Sequence, residues 1–160
     1  MTTQKNSPEG ILFVPDGFEP PTRLAAGEFR LEPLGPEHNE RDYAAWTSSM
    51  DHIRRTPGWG EERNWPREMT LDENRSDLER HARDFHDRTG FTFTVLDEHD
   101  DVVGCVYVYP AKDGVHDATV RSWVRASEAE QDPALRRAIA EWLTGDAWPF
   151  ERPLYEPLLS

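Results

Sequence analysis

Two strand-like runs joined by a short acidic turn constrain the fold more than any other part of the sequence. Residues 91–96 (FTFTVL) alternate apolar and polar side chains, and residues 102–109 (VVGCVYVY) are apolar on both faces. The turn DEHDD between them predicts a β-hairpin. Residues 118–124 (ATVRSWV) follow a turn containing Pro110 and Gly114, and they predict a third strand of the same antiparallel meander.

Three helices are expected around these strands. Aromatic and aliphatic residues at three- and four-residue spacing predict one helix over about residues 36–55. Thr70 and Glu73 form a capping box that opens a second helix. The side chains expected on or near its buried face are Leu71, Leu78, Ala82 and Phe85. Asp132 as the N-cap and Pro133 in the first turn predict the start of a third helix.

Strands at both ends complete the pattern. Residues 29–34 (FRLEPL) alternate as a half-buried strand does, and the aromatic segment 148–155 is interrupted by Pro149 and Pro153 as an edge strand would be. The resulting order is strand, helix, helix, three strands, helix, strand. Helices that cover a mainly antiparallel sheet make an α+β domain, which is the predicted fold class.

The first 28 residues differ in composition from the rest. They are rich in proline and glycine, which disfavours a long helix or a central strand, so residues 1–28 are expected to form an extended arm. The apolar patch from Ile11 to Val14 indicates that this arm packs on the domain. The domain itself is expected to span residues 29–160.

Charge and apolar content narrow the class of partner. The chain carries a formal net charge of −13, which repels phosphate backbones and anionic lipids, so neither nucleic acid nor a membrane surface is expected as a partner. No apolar run approaches the roughly 20 residues that span a bilayer, and MTTQKNSPEG lacks the pattern of a secretory signal. A cytoplasmic location is therefore expected. The one cysteine, Cys105, lies in an apolar strand and is interpreted as a buried small side chain rather than a nucleophile.

The order of elements, together with VVGCVYVYP, ATVRSWVRAS and the helix that follows, resembles the GNAT-type N-acetyltransferases over about residues 29–155. The resemblance implies a three-layer fold, with a mainly antiparallel mixed sheet between helices. It also implies acetyl-CoA as cofactor and a small amine as acceptor, attacking the thioester directly. In that family the strand before the motif helix pairs with pantetheine, and a loop with the pattern Q/R-x-x-G-x-G/A holds the pyrophosphate at the helix start.

The family motif falls on residues 131–136 of this chain. Gln131 matches the pattern, whereas Ala134 and Arg136 stand where small residues belong. As an N-cap, Asp132 would compete with a phosphate for the same N–H groups. The cofactor-contacting residues that the resemblance implies are Trp123, Val124, Arg125, Gln131, Ala134, Arg136 and Arg137.

The resemblance also suggests acid and base candidates. Asp117, at the start of the strand before the motif helix, is the candidate base, with a solvated strand-start residue as the alternative. Tyr155 is the candidate acid, with aromatic packing on the sheet as the alternative. No metal site is expected, since the five-residue spacing of His81 and His86 does not place both rings on one helical face.

Two tryptophans mark the segment between the first two helices. Trp59 and Trp65, set among Glu61, Glu62 and Glu68, are interpreted as a lid that lines a pocket for a cationic amine, or as anchors of the loop. Two functions remain open at this point. One is acetyl transfer to a small amine, and the other is a non-catalytic GNAT-like domain that binds a small ligand or a protein. Family members continue beyond the last strand, so the expectation is either that a partner chain completes the sheet, for example in a homodimer, or that the acceptor half is missing.

Overall fold

The computed structural model describes residues 12–60 and 63–155, which fold around one mixed sheet of six strands. The strands are β1 (Leu24–Ala26), β2 (Phe29–Pro33), β3 (Phe91–Leu96), β4 (Val102–Tyr109), β5 (Ala118–Val124) and β6 (Pro153–Tyr155). The helices are α1 (Asn39–Thr47), α2 (Met50–Arg55), α3 (Leu71–Asp87) and α4 (Asp132–Leu143). Two 3-10 helices, Pro36–His38 and Ala126–Gln131, precede α1 and α4.

The strands lie in the sheet in sequence order. The first five pair antiparallel with their neighbours, which confirms the predicted meander from β3 to β5. The last strand, β6, pairs parallel with β5 through Ala118 to Val120 only. The described part of β6 ends at Tyr155.

A β-bulge in β4 assigns its side chains to the two faces. Val95 lies opposite Gly104 and Leu96 lies opposite Val102, so Val103 is the extra residue. A Cβ atom on Gly104 would lie 2.4 Å from the carbonyl oxygen of Trp123, so only glycine allows this close approach. Beyond the bulge, Cys105 and Tyr107 face α1 and α3, whereas Val106 and Val108 face α4.

Each face of the sheet carries its own hydrophobic core. The α4 face buries Leu135, Ile139 and Leu143 against valines and phenylalanines of the strands. The opposite face buries Trp46 and Trp123 beneath α1 and α3. Helices on both sides of the sheet make three layers, which confirms the predicted α+β fold class.

The region predicted as one helix over residues 36–55 is broken. After the 3-10 turn, α1 ends at Thr47 and α2 begins at Met50. Between them Ser49 leaves helical geometry, with φ −132°, and its hydroxyl accepts a hydrogen bond from the N–H of Ala126 at 2.8 Å. This hydrogen bond to the start of the 3-10 helix after β5 stabilises the break between α1 and α2. A second correction concerns Leu71, which is 37% exposed because it lies at the first position of α3.

The predicted N-cap of α4 is wrong. The 3-10 helix runs directly into α4, so Asp132 has helical angles (φ −59°, ψ −46°) and its N–H bonds to the carbonyl of Ala129. Its carboxylate instead pairs with Nε of Arg136 at 3.3 Å. By contrast, the capping box of Thr70 and Glu73 is present as predicted.

The described part of the arm packs against the α4 face. Val14 is buried, and the ring of Phe13 stacks on Phe91 and Phe150. Ile11 lies outside the described residues. The boundary placed at residue 28 stays a prediction, although β1 already belongs to the sheet. Among the residues that the structure describes, no helix combines the length and apolar character needed to cross a membrane.

A buried amide joins α3 to α1. The side chain of Asn74 accepts a hydrogen bond from Nε1 of Trp46 at 3.0 Å. Its Nδ2 group donates to Asn39 at 2.8 Å and to Asp42 at 3.1 Å. Because Asn74 is only 2% exposed, water cannot replace these bonds.

Replacement of this amide should therefore destabilise the fold. We expect Asn74→Ala to lower the free energy of unfolding by about 2–4 kcal/mol, since three buried polar partners lose their bonds. Urea unfolding measures the change. The matched control is Arg75→Ala, which removes an exposed surface pair with Glu79 and should cost less than about 0.5 kcal/mol. Equal losses in the two variants would contradict the structural role of Asn74.

Candidate functional site

A cavity with aromatic walls, called the main cavity below for these walls and not for its size, lies on the α1 and α3 side of the sheet, over β4 and β5. Its volume is about 320 Å³. The aromatic lining residues are Trp59, Trp65, Tyr107 and Tyr109, and the titratable ones include Asp42, His81 and Arg121. Concave sites with aromatic walls and few polar groups are typical of small-molecule binding. Glu61 and Glu62, predicted beside these tryptophans, lie outside the described residues.

Asp42 supplies a buried carboxylate to this cavity. It is 4% exposed and accepts a hydrogen bond from Asn74. Burial raises its pKa from 3.8 to about 6, and the Asn74 amide and the nearby His38 oppose this shift. The side chain is therefore mostly ionised at neutral pH, in surroundings where a cation would offset its lost hydration.

The aromatic walls are held by hydrogen bonds as well as by packing. Nε1 of Trp59 donates to the backbone carbonyl of Ser122 at 2.9 Å. The ring of Trp65 packs against those of Trp46, Trp59 and Trp123. The two loop tryptophans thus line the cavity and anchor their loop at once. Lining of a pocket and anchoring of the loop are therefore both present, whereas binding of a cationic amine stays a prediction.

His81 lies in a polar network at one side of the cavity. Its Nδ1 atom is 2.9 Å from the hydroxyl of Tyr109 and 3.1 Å from that of Thr92. The Tyr109 hydroxyl donates to Asp84 at 2.8 Å. Burial lowers the pKa of His81 to about 4, so its imidazole is neutral near pH 7.

Asp117 and Tyr155, the predicted base and acid, lie elsewhere. Asp117 is exposed at the start of β5, where its carboxylate accepts hydrogen bonds from the N–H groups of Glu151 (2.7 Å) and Arg152 (3.2 Å). Tyr155 is buried on the α4 face, with its hydroxyl 2.5 Å from that of Ser122. Burial raises the pKa of Tyr155 to about 12. Neither side chain lines the main cavity, and their catalytic roles stay predictions.

The predicted cofactor residues are spread over two faces of the sheet. Trp123 is buried on the cavity side and Val124 on the α4 side. Arg125 donates to the carbonyl of Val102 at 3.2 Å. Gln131 and Ala134 are exposed and line a shallow pocket beside the turn between β1 and β2. Arg137 is also exposed, so the structure does not gather this set at one point.

Arg136 of α4 lies buried against Tyr155 of β6. The residue is only 5% exposed, and its guanidinium lies 4.8 Å from the ring centroid of Tyr155. Its Nε pairs with Asp132, whereas Nη1 and Nη2 are buried without a hydrogen-bond partner among the described residues. Ser122, Tyr155 and Arg136 thus form a buried polar cluster on the α4 face of β5 and β6.

Comparison with known proteins identifies the class of fold. No protein-family model matches the sequence, and no curated protein matches it at a significant level. Solved structures do match, and they are acetyltransferases. The chain has the GNAT fold, as the resemblance implied, and identities of 10–14% make this a likeness of fold alone.

Three of these structures illustrate the match. A candidate ribosomal-protein-serine acetyltransferase from Vibrio cholerae has a TM-score of 0.61 and 12% identity, over 78% of this chain and 68% of that one. A ribosomal L7/L12 alpha-N-protein acetyltransferase, solved with coenzyme A, has a TM-score of 0.57 and 10% identity, over 75% and 68%. A candidate GNAT-family acetyltransferase from Bordetella pertussis has a TM-score of 0.53 and 14% identity, over 76% and 73%.

The groove between the end of β5 and the start of α4 is the region where the family resemblance places coenzyme A. Its residues do not fit that cofactor. The 3-10 turn already uses the N–H of Asp132, Pro133 has no N–H, and the Asp132 carboxylate adds negative charge. The backbone carbonyl of Ser122 is bonded to Trp59. Arg136 would favour an anion through its two unpaired terminal nitrogens, but its side chain would first have to leave the groove.

Sequence reasoning missed the residues of the main cavity. Asp42 has one relevant signal, because it precedes the buried Trp46 by four residues and so shares its helical face. The sequence pairs His81 only with His86, at a spacing that does not favour a metal site. Its neighbours Thr92 and Tyr109 come from two strands, so no spacing in the sequence connects them.

The buried charge of Asp42 gives a stability prediction. Because its pKa is raised in the folded protein, ionised Asp42 destabilises the fold above about pH 6. Asp42→Asn should therefore raise the free energy of unfolding at pH 8, by up to about 3 kcal/mol. The gain should disappear near pH 4, where the wild-type carboxyl is protonated. Urea unfolding of both proteins between pH 4 and pH 8 measures this gain. A difference in the free energy of unfolding that does not change with pH would contradict the buried charge.

Proposed function

We propose that this chain binds an amine in the main cavity and is an N-acetyltransferase-like protein for which that amine is the acetyl acceptor. The observation that carries the proposal is the Asp42 carboxylate, buried in a cavity with walls of Trp59, Trp65 and Tyr107. An ammonium ion would pair with the carboxylate and lie against the face of an aromatic ring, as the guanidinium of Arg121 already does 5.3 Å from the ring centroid of Trp59. The other support is the GNAT fold, whose solved examples are acetyltransferases.

The acceptor is proposed to be a small amine rather than a long polypeptide. A cavity of about 320 Å³ accommodates a small molecule or the first residue of a chain. Similar folds include enzymes named for ribosomal proteins, so an α-amino group at a protein N-terminus belongs in the test panel beside free amines. Acetyl-CoA would supply the thioester carbonyl that an amine attacks.

A second function is favoured by the closed groove. Arg136 lies over Tyr155, and Nε1 of Trp59 donates a hydrogen bond to the backbone carbonyl of Ser122 in β5. The corresponding strand of GNAT enzymes pairs with pantetheine. A protein that keeps this arrangement would bind its amine without acetylating it. Amine binding is common to both functions, so acetyl transfer and coenzyme A binding decide between them.

Amine binding should depend on pH through Asp42. Phenethylamine stays protonated below pH 8, so its affinity should follow the ionised fraction of Asp42 and fall about tenfold from pH 7.5 to pH 5. Isothermal titration calorimetry measures this change. Asp42→Asn, which keeps a similar shape, should bind weakly at every pH. Wild-type affinity that does not change with pH would rule out the role of Asp42.

Coenzyme A binding tests the groove. Arg136→Gly removes the side chain that lies over Tyr155, and we expect it to bind coenzyme A roughly tenfold more tightly than the wild type, a gain of about 1.4 kcal/mol. The matched control is Arg137→Gly, which removes the same charge from an exposed position of the same helix. If neither the wild type nor Arg136→Gly binds coenzyme A, acetyl transfer is rejected. Acetylation of an amine or a peptide N-terminus by the wild type rejects the non-catalytic alternative.

A further inference from the structure

The donor and acceptor roles in the hydrogen bonds around His81 are fixed. The Tyr109 hydroxyl donates its single proton to Oδ2 of Asp84. Its oxygen therefore presents only lone pairs to Nδ1 of His81, 2.9 Å away. Nδ1 must then carry the ring proton, because two facing lone pairs would repel each other. The Thr92 hydroxyl, 3.1 Å from Nδ1, can accept from the same N–H.

These donor and acceptor roles set the tautomer of the imidazole. With the proton on Nδ1, Nε2 has a lone pair and is a hydrogen-bond acceptor. Nδ1 is directed to Thr92 on β3 and Tyr109 on β4, so the Nε2 edge of the ring points away from these partners. His81 lines the main cavity, which contains Asp42 as well. The cavity therefore contains the imidazole nitrogen of His81 and the carboxylate of Asp42 as acceptors, and Asp77 lines it as well.

Burial, more than the surrounding charges, lowers the pKa of His81 and keeps the imidazole neutral. Asp77 and Arg80 flank His81 on α3 and act on its pKa in opposite directions, while burial lowers it. Tyr107 on β4 packs edge-on against the ring, and Asp42 on α1 lines the same cavity. Because the pKa of His81 lies near 4, the Nε2 lone pair stays available over the whole range in which Asp42 is ionised.

We propose that His81 and Asp42 together select primary amines over fully methylated ones, with Tyr109 as the residue that positions the His81 lone pair. A primary ammonium has three N–H donors and can bond to both acceptors, whereas a trimethylammonium has none. Aromatic walls alone would hold both ligands, so the preference depends on the acceptors. This inference rests on the amine site proposed above.

Matched ligands and matched variants test the selectivity. Phenethylamine and its N,N,N-trimethyl derivative are titrated into the wild type, Tyr109→Phe and Tyr43→Phe at pH 7.5. The expected result is that Tyr109→Phe weakens phenethylamine binding roughly three- to tenfold, the value of about one hydrogen bond, and leaves the trimethyl derivative unchanged. Tyr43→Phe is the control, since its hydroxyl bonds to the carbonyl of Met69 outside the cavity lining, and it should change neither affinity.

Nitrogen-15 NMR of the histidine side chains gives a readout that does not require ligand. In the wild type, His81 should show a protonated Nδ1 and a bare Nε2, and Tyr109→Phe should shift it toward a mixture of tautomers. A protonated Nε2 in the wild type overturns the inference, as does equal affinity for the two ligands. If neither ligand binds, the proposed amine site fails, while the tautomer is still decided by the NMR spectrum.

Discussion

The buried amide of Asn74 is the interaction on which the candidate site depends. It ties α3 to α1 through Trp46 and Asn39, and it donates to the carboxylate of Asp42. A buried polar group of this kind costs free energy unless all its bonds are made, so it permits one arrangement of the two helices. That arrangement places Asp42 on α1 and His81 on α3 in the same cavity, over the aromatic residues of the sheet.

On the opposite face of the sheet, the chain's own side chains occupy the region where the GNAT family binds its cofactor. There β6 pairs with β5 through three described residues, and buried side chains of α4 pack against them. Arg136 pairs with Asp132 and lies over Tyr155, which bonds to Ser122. The fold is thus retained while the groove is closed, so function has to be argued from the sites and not from the fold.

Local signals in the sequence predicted most of the elements. The alternation in FTFTVL and the capping box of Thr70 and Glu73 involve only neighbouring residues, and both appear in the structure as predicted. The errors occurred where a distant contact competes with a local signal. Asp132 followed by Pro133 is typical of an N-cap. In the structure, however, the N–H of Asp132 donates to the carbonyl of Ala129 in the preceding 3-10 helix, and its carboxylate pairs with Arg136. Ser49 breaks the predicted long helix because its hydroxyl bonds to Ala126, 77 residues away.

The sequence by itself determined the fold class, the meander and the position of the motif helix, because periodicity and turn residues act over a few positions. It also located Arg136 at a place where the family pattern has a small residue. Only the tertiary structure decided that this arginine lies buried over Tyr155, and that Asp42 and His81 share a cavity. Those residues come from different helices and strands, and the burial that shifts their pKa values exists only after the sheet and helices have packed.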